Sequence, residues 1–205
     1  MNLKKRRDLE KQAMRRGILD AARRLARRED WSAVTIRKIA EQIQYSSPMV
    51  YEYFSSKDDL LLALLREGFS ELAATMRHAS QAAVEPEEHL LRIGDAYCQF
   101  ARAYPELYQV MHGLGGVPLD SQARMQAAYE VCQITLEALE VWAKAKEVTL
   151  KNPEEAVELL WACLHGLVSL YVMGRSQEES LRVELMARQV GHSLLNTWSF
   201  SGGPG

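Results

Sequence analysis

The stretch from Thr35 to Lys57 limits the fold more than any other part of the chain, because it reads as two short helices joined by a tight turn and followed by the start of a longer one. Thr35 stands as an N-cap, and Ile36, Ile39, Ala40 and Ile43 recur behind it at helical spacing. Ser46-Ser47-Pro48 supplies a second cap, with proline in the first turn, where its missing N–H costs little. The short helix that follows sends Val50 and Phe54 inward and leaves Ser47, Met49, Tyr51 and Tyr53 on its other face. In a helix-turn-helix, that outer face enters the major groove of DNA.

Charge is divided along the chain in the same sense. The total is −2, yet through Lys57 there are fourteen Lys/Arg against seven Asp/Glu, a net of +7, and the remainder has eleven against twenty, a net of −9. Positive charge gathered on the segment with the short helices is the footprint of a phosphate-facing surface. Lys4, Lys5, Arg6 and Arg7 precede the first apolar stripe and are expected as a loose arm touching phosphates or the minor groove. Arg23, Arg24, Arg27 and Arg28 read as a solvated helix face.

Beyond Lys57 every apolar pattern is helical. Leu60, Leu61, Leu64, Leu65, Phe69, Leu72 and Met76 form one stripe behind an acidic first turn, and helix starts follow at Pro86, Pro105, Asp120 or Ser121, and Asn152-Pro153. One further helix spans Glu178 to about Trp198, and Gly113 to Pro118 reads as a plain loop. No strand pattern of useful length appears, so the expected fold is all-α: a helix-turn-helix domain with a basic N-terminal arm over residues 1–57, then a helical domain over 58–205. At 205 residues, 47% apolar, the chain can bury a sizeable core. No run approaches the roughly 20 residues needed to span a bilayer, and no signal-peptide segment opens the chain, so the expected location is cytoplasmic, away from membranes. Cys98, Cys132 and Cys163 are widely spaced in apolar helical patterns, which fits buried thiols, with a thiol sensor as the alternative.

The 35–60 segment resembles the tetracycline-repressor (TetR) family of bacterial regulators, whose reading head runs T-x-x-x-I-A-x-x-x-G-V-S-x-x-x-L-Y-x-Y/H-F-x-x-K-x-x-L. The pattern is met by Thr35, Ile39, Ala40, Ser46, Val50, Tyr51, Tyr53, Phe54, Lys57 and Leu60. Gln44 stands where the family has a turn glycine, and Tyr45 where it has a small aliphatic. A side chain in a left-handed backbone costs about 1 kcal/mol or somewhat more. Trp161-Ala-Cys-Leu-His165-Gly166 resembles the W-x-x-x-H-G signature of one subgroup's ligand domain, and Tyr104-Pro-Glu-Leu-Tyr108 is similar to the same subgroup.

The resemblance implies a double-stranded operator DNA partner, with Arg37, Ser47, Pro48 and Met49 at base-reading positions and Thr35, Tyr51, Tyr53 and Lys57 at phosphate-contact positions. It implies a homodimer through the last two helices, whose apolar faces carry Leu160, Leu164, Leu167 and Tyr171, and Leu181, Leu185, Ala187, Val190, Leu194 and Leu195. Gly166 and Gly191 fit either close helix approach or backbone tolerance near a bend. A pocket for an apolar or amphipathic small molecule is expected in the body. Tyr97, Phe100, Met111, His112, Met125, Tyr129, Trp161 and His165 are its candidate lining, each of which also fits plain core packing. The expected function is a ligand-released repressor, the alternative a constitutive or nucleoid-associated DNA-binding protein. No paired acid and base, metal constellation or nucleophile motif is visible, so neither catalysis nor a cofactor is expected.

Overall fold

A computed structural model describes residues 3–81, 83–118, 120–171 and 177–201, apart from the side chains of Tyr171, 177–181 and Ser201. Its helices are α1 (Leu3–Glu29), α2 (Ile36–Gln42), α3 (Ser47–Tyr51), α4 (Lys57–Gln81), α5 (Pro86–Ala103), α6 (Pro105–His112), α7 (Ser121–Ala145), α8 (Pro153–Tyr171) and α9 (Gln177–Ser201), with a 3-10 turn at Trp31–Ala33. No strand occurs among the described residues. The helix ends lie where local chemistry expects them. Asp120 Oδ1 accepts from Ala123 N at 2.9 Å, and Asn152 Oδ1 accepts from Glu155 N at 3.2 Å. Ser56 Oγ accepts from Asp59 N, while the Asp59 carboxylate reaches back to Ser55 N at 2.9 Å, a reciprocal cap at the start of α4. The side chains of Tyr171 and Leu181, expected on the apolar faces of the last two helices, lie outside the described ones.

The chain divides by packing into two compact units, Met1–Gly68 with Glu106–Arg124, and Phe69–Pro105 with Met125–Gly205. This differs from a cut after Lys57. The first three turns of α4 bury Leu60, Leu61, Leu64 and Leu65, and α6, distant in sequence, joins the first unit.

In the first unit α1 buries Ile18, Leu19, Ala22 and Leu25, and the short helices bury Ile39 and Val50, with Phe54 following. Full burial of side chains such as Val50 and Phe54 contributes about 1.5–3 kcal/mol each. A Cβ on Gly68 would lie 2.6 Å from Met111 Sδ and 3.0 Å from Leu107 Cγ, so α4 and α6 approach here at a spacing that glycine permits. Glu106 of α6 is buried, 2% exposed. Its Oε1 accepts from Arg23 Nε at 3.0 Å and its Oε2 from Arg27 Nε at 2.7 Å, while its backbone carbonyl accepts from the Trp31 indole at 2.8 Å. The expectation of a solvated arginine face is therefore corrected for Arg23, which a buried carboxylate draws inward, and in part for Arg27, whose Nε the same carboxylate holds while its side chain stays 46% exposed. Arg28 is exposed as expected and donates to Gln42 Oε1. Arg24 is exposed.

The second unit is built on α5, α8 and α9, packed against one another. Arg188 of α9 donates to Asp95 Oδ2 at 2.6 Å and to Glu88 Oε1 at 3.0 Å, both on α5. These bonds hold the Glu88 carboxyl below its ordinary pKa and raise that of Arg188. Cys98 is buried, and desolvation pushes its thiol up to about 12, with the charges of Glu184 and Asp95 adding to it, so it packs as an inert apolar group. Cys132 and Cys163 are half-buried.

Candidate nucleic-acid interface

Helix α2 opens as the sequence indicates, with Thr35 Oγ1 accepting from Lys38 N at 3.2 Å. It closes in a reciprocal pair of bonds, Tyr45 N to Ala40 O at 2.9 Å and Gln44 N to Glu41 O at 3.2 Å, with Gln44 at φ +61°. The turn keeps the left-handed geometry of the family's glycine and places a side chain on it. Ser46 holds the N-cap position of α3 in extended backbone, but its hydroxyl makes no capping bond. Pro48 at N2 has no N–H to offer, and the N–H of Met49 is taken by the carbonyl of Ser46 at 3.1 Å. Val50 and Phe54 are fully buried, which fixes the face that α3 turns outward.

On the outer side, Thr35, Pro48 and Tyr51 are exposed, while Ser47, Met49 and Tyr53 are half-buried. Arg37 is 81% exposed and meets Glu41 at 3.5 Å, an i,i+4 pair too weak to hold it. Tyr45, which stands at the turn before α3 in place of the family's small aliphatic, is an exposed aromatic. Lys57 is half-buried, and its Nζ donates to the carbonyl of Trp31 at 2.7 Å. Burial lowers its pKa, against the opposing charge of Asp58. In this geometry its ammonium ties the start of α4 to the turn after α1.

The candidate ligand residues do not gather at one place. Tyr97, Trp161 and His165 come together in the second unit: the Tyr97 ring stands edge-on to Trp161 at 4.8 Å, and its hydroxyl lies 3.3 Å from His165 Nδ1. Ser169 Oγ lies 3.3 Å from His165 Nε2, and the buried indole N–H of Trp161 has no hydrogen-bond partner. Phe100, also buried, stacks at a tilt on Tyr104. Met111 is buried in the first unit, where His112 lies 4.4 Å from the Tyr108 ring. Met125 and Tyr129 are 67% and 65% exposed on α7. A cavity of about 20 Å³ in the second unit, lined by residues including Leu91, Gly94, Leu164 and Leu195, holds none of the eight. That is room for roughly one water.

A three-helix head with a left-handed turn before its outward helix, followed by a helical body, defines a one-component helix-turn-helix regulator. Residues 18–64 match the description "Bacterial regulatory proteins, tetR family", and residues 90–192 match "Tetracyclin repressor-like, C-terminal domain". The chain belongs to the TetR family of DNA-binding transcriptional regulators. It is 33% identical over 90 residues to the HTH-type transcriptional regulator BetI of Rhizobium meliloti, which covers 42% of this chain and 44% of BetI. The chain thus matches about two-fifths of the length of such relatives. A protein of unknown function from Rhodococcus sp. RHA1 has the same fold, with a TM-score of 0.75 and 19% identity over 90% of this chain and 95% of the other. RolR, seen in complex with resorcinol, matches with a TM-score of 0.64 and 12% identity over 97% and 98% of the two chains. No helix of the described residues is long and apolar enough to cross a membrane.

Proposed function

We propose that this regulator is a homodimeric repressor that holds a two-fold operator and releases it when an apolar or amphipathic small molecule enters the helical body. The carrying observation is the exposure on α2 and α3, where Arg37 is 81% exposed, Pro48 is exposed and Met49 is half-buried, on a segment of net charge +7. Arg37 is the group suited to a forked contact with guanine, Met49 offers apolar contact to a thymine methyl, and Tyr51, Tyr53 and Thr35 suit phosphates. Lys57 reaches phosphate only by giving up the Trp31 carbonyl, and its other role is to set the angle of α4.

Dimerisation is supported by the face of α8 that its own subunit leaves open. Leu159, Ala162 and Leu170 are exposed along it, Leu185 is exposed on α9, and a Cβ on Gly166 would meet nothing within 4 Å. Gly191 differs, since a Cβ there would lie 2.9 Å from Leu91 Cδ2, inside the subunit. The effector reading rests on the Tyr97–Trp161–His165 cluster, which belongs to the W-x-x-x-H-G resemblance and has an indole N–H to offer. RolR, with its resorcinol, is a related fold that takes a small molecule. Neither the cavity of about 20 Å³ nor the open groove of about 370 Å³ beside Arg77, His89 and Glu137 in the second unit is lined by this cluster, so an effector that contacts the cluster selects an opened form. A 100-fold preference for the DNA-free form shifts the equilibrium by about 2.7 kcal/mol, and linkage requires operator to weaken effector binding by the same factor.

The test is selection of duplexes from random DNA by the full chain, followed by footprinting and by titration of Arg37→Ala. A palindromic site is expected, with Arg37→Ala costing on the order of 1–3 kcal/mol and relaxing one base pair in each half-site. Equal losses on selected and random duplexes would remove Arg37 from base reading.

A further inference from the structure

Helix α1 is longer than the core of its unit requires. Its first buried residue is Ile18, and every residue from 3 to 13 is exposed, Leu3 and Leu9 included. At 1.5 Å per residue, about 16 Å of helix stands in solvent. The expectation of a loose arm is corrected here: Lys4, Lys5, Arg6 and Arg7 lie in regular helix, continued by good helix formers without a glycine or proline before Gly17.

Folding alone gives little reason for this segment. It carries Lys4, Lys5, Arg6, Arg7 and Lys11 against Asp8 and Glu10, and its first turn has no acid. Cations at a helix N-terminus face the positive end of the macrodipole and are repelled by it. The Arg6–Glu10 pair, open to solvent on both sides, offsets little of this. An unpacked stretch that is electrostatically opposed to its own helix is stabilised when an external anion neutralises it.

Its place in the head says which anion. The Arg15 guanidinium lies 4.5 Å from the centre of the Phe54 ring, in the turn between α3 and α4 and next to Tyr53. The exposed turns therefore leave the head beside the end of the reading helix. A helix with its side chains is about 10–12 Å across, and the minor groove is about 6 Å wide. A helical segment is excluded from that groove, and with the major groove taken by α3 the surface left to it is the phosphate backbone. The segment also precedes Ile18, where the match to the family's reading head begins.

Resting on the DNA-binding reading of the head, we infer that residues 3–13 of α1 form a phosphate-binding rail that engages duplex DNA beyond the base-reading contacts. The rail adds affinity and salt dependence without adding sequence preference, because phosphates carry none.

The full chain is compared with its Lys4→Gln, Lys5→Gln, Arg7→Gln, Lys11→Gln variant on a duplex selected by the wild type, in two lengths: the footprint alone, and the footprint with ten base pairs added at each end. The wild type is expected to bind the longer duplex more tightly. Each neutralised phosphate contributes about 0.9 to the log–log salt slope, so four lost contacts lower it by about 3.6 per subunit, of order 100-fold in affinity between 50 and 200 mM salt. The variant should bind both lengths alike with unchanged base preference, and its circular dichroism should match the wild type, since no buried group is altered. Netropsin, which fills the minor groove, should leave the flank effect intact. An unchanged slope with the flank effect retained overturns the rail, as does loss of the flank effect to netropsin. A variant altered in self-association but not in DNA binding also overturns it, assigning the charge to the acidic surface of a second copy. Failure of the wild type to select any duplex is a separate outcome, which removes the DNA-binding reading itself.

Discussion

Replacing Glu106 by alanine removes a buried carboxylate that joins α1 to α6 within the first unit. Its two oxygens accept from Arg23 at 3.0 Å and Arg27 at 2.7 Å, and breaking a buried ion pair by deleting one partner costs about 3–5 kcal/mol. Two features move the expected loss toward the lower end. Arg23 keeps Glu67 within 3.5 Å, and Arg27, 46% exposed, recovers water. The bond from Trp31 goes to the backbone carbonyl of residue 106 and survives the substitution. A loss of about 3 kcal/mol corresponds to a fall in Tm of roughly 6–12 °C for a chain of this size. Urea and thermal unfolding of Glu106→Ala, Arg23→Ala and the double variant form a cycle that isolates the coupling. The paired Arg23→Met, Glu106→Leu replacement should recover most of the loss, because a well-packed apolar pair removes two desolvated charges together. A single variant within 1 kcal/mol of wild type, or strict additivity of the two alanines, would refute the buried clamp.

Gln44→Gly should stabilise the head by up to about 1 kcal/mol, since the φ of +61° is natural to glycine; a loss of stability in the same unfolding assay would mean that the Gln44 side chain has a compensating contact. Leu170→Lys with Leu185→Lys should leave helix content intact and give monomers with weakened operator binding, because these side chains are 70% and 69% exposed in the subunit; a dimer persisting in sedimentation places the interface elsewhere. Glu88 titrates below its ordinary 4.5 in the folded chain because Arg188 donates to it. Its contribution to stability is complete above that ordinary value and is lost as pH falls through the lower folded value. Arg188→Met should therefore flatten the acid side of the stability curve, and an unchanged acid slope would show that the carboxylate does not gain from this partner.

What the amino-acid order decided by itself is what acts within about four residues. The Thr35 cap, the fully buried Val50 and Phe54, and the left-handed turn at Gln44 were legible because a cap bonds to the next turn, apolar spacing follows the helical repeat, and a motif with a missing glycine still requires that backbone. The basic segment before Gly17 is legible in the sequence as charge, but the helical state that keeps it out of the minor groove belongs to the folded chain. Packing alone decided the rest. Glu106 lies 79 and 83 residues from the arginines it holds, so nothing local distinguishes Arg23 and Arg27 from the exposed Arg24 beside them. Lys57 stands at a phosphate-contact position of the family's motif, yet its ammonium meets a carbonyl 26 residues back. Of the eight candidate pocket residues, Tyr97, Trp161 and His165 meet one another, while Met125 and Tyr129 face solvent. Residue type marks a side chain as able to line a pocket; which helix faces which is set by the sum of many weak apolar contacts across the whole chain, and that sum exists only in the folded molecule.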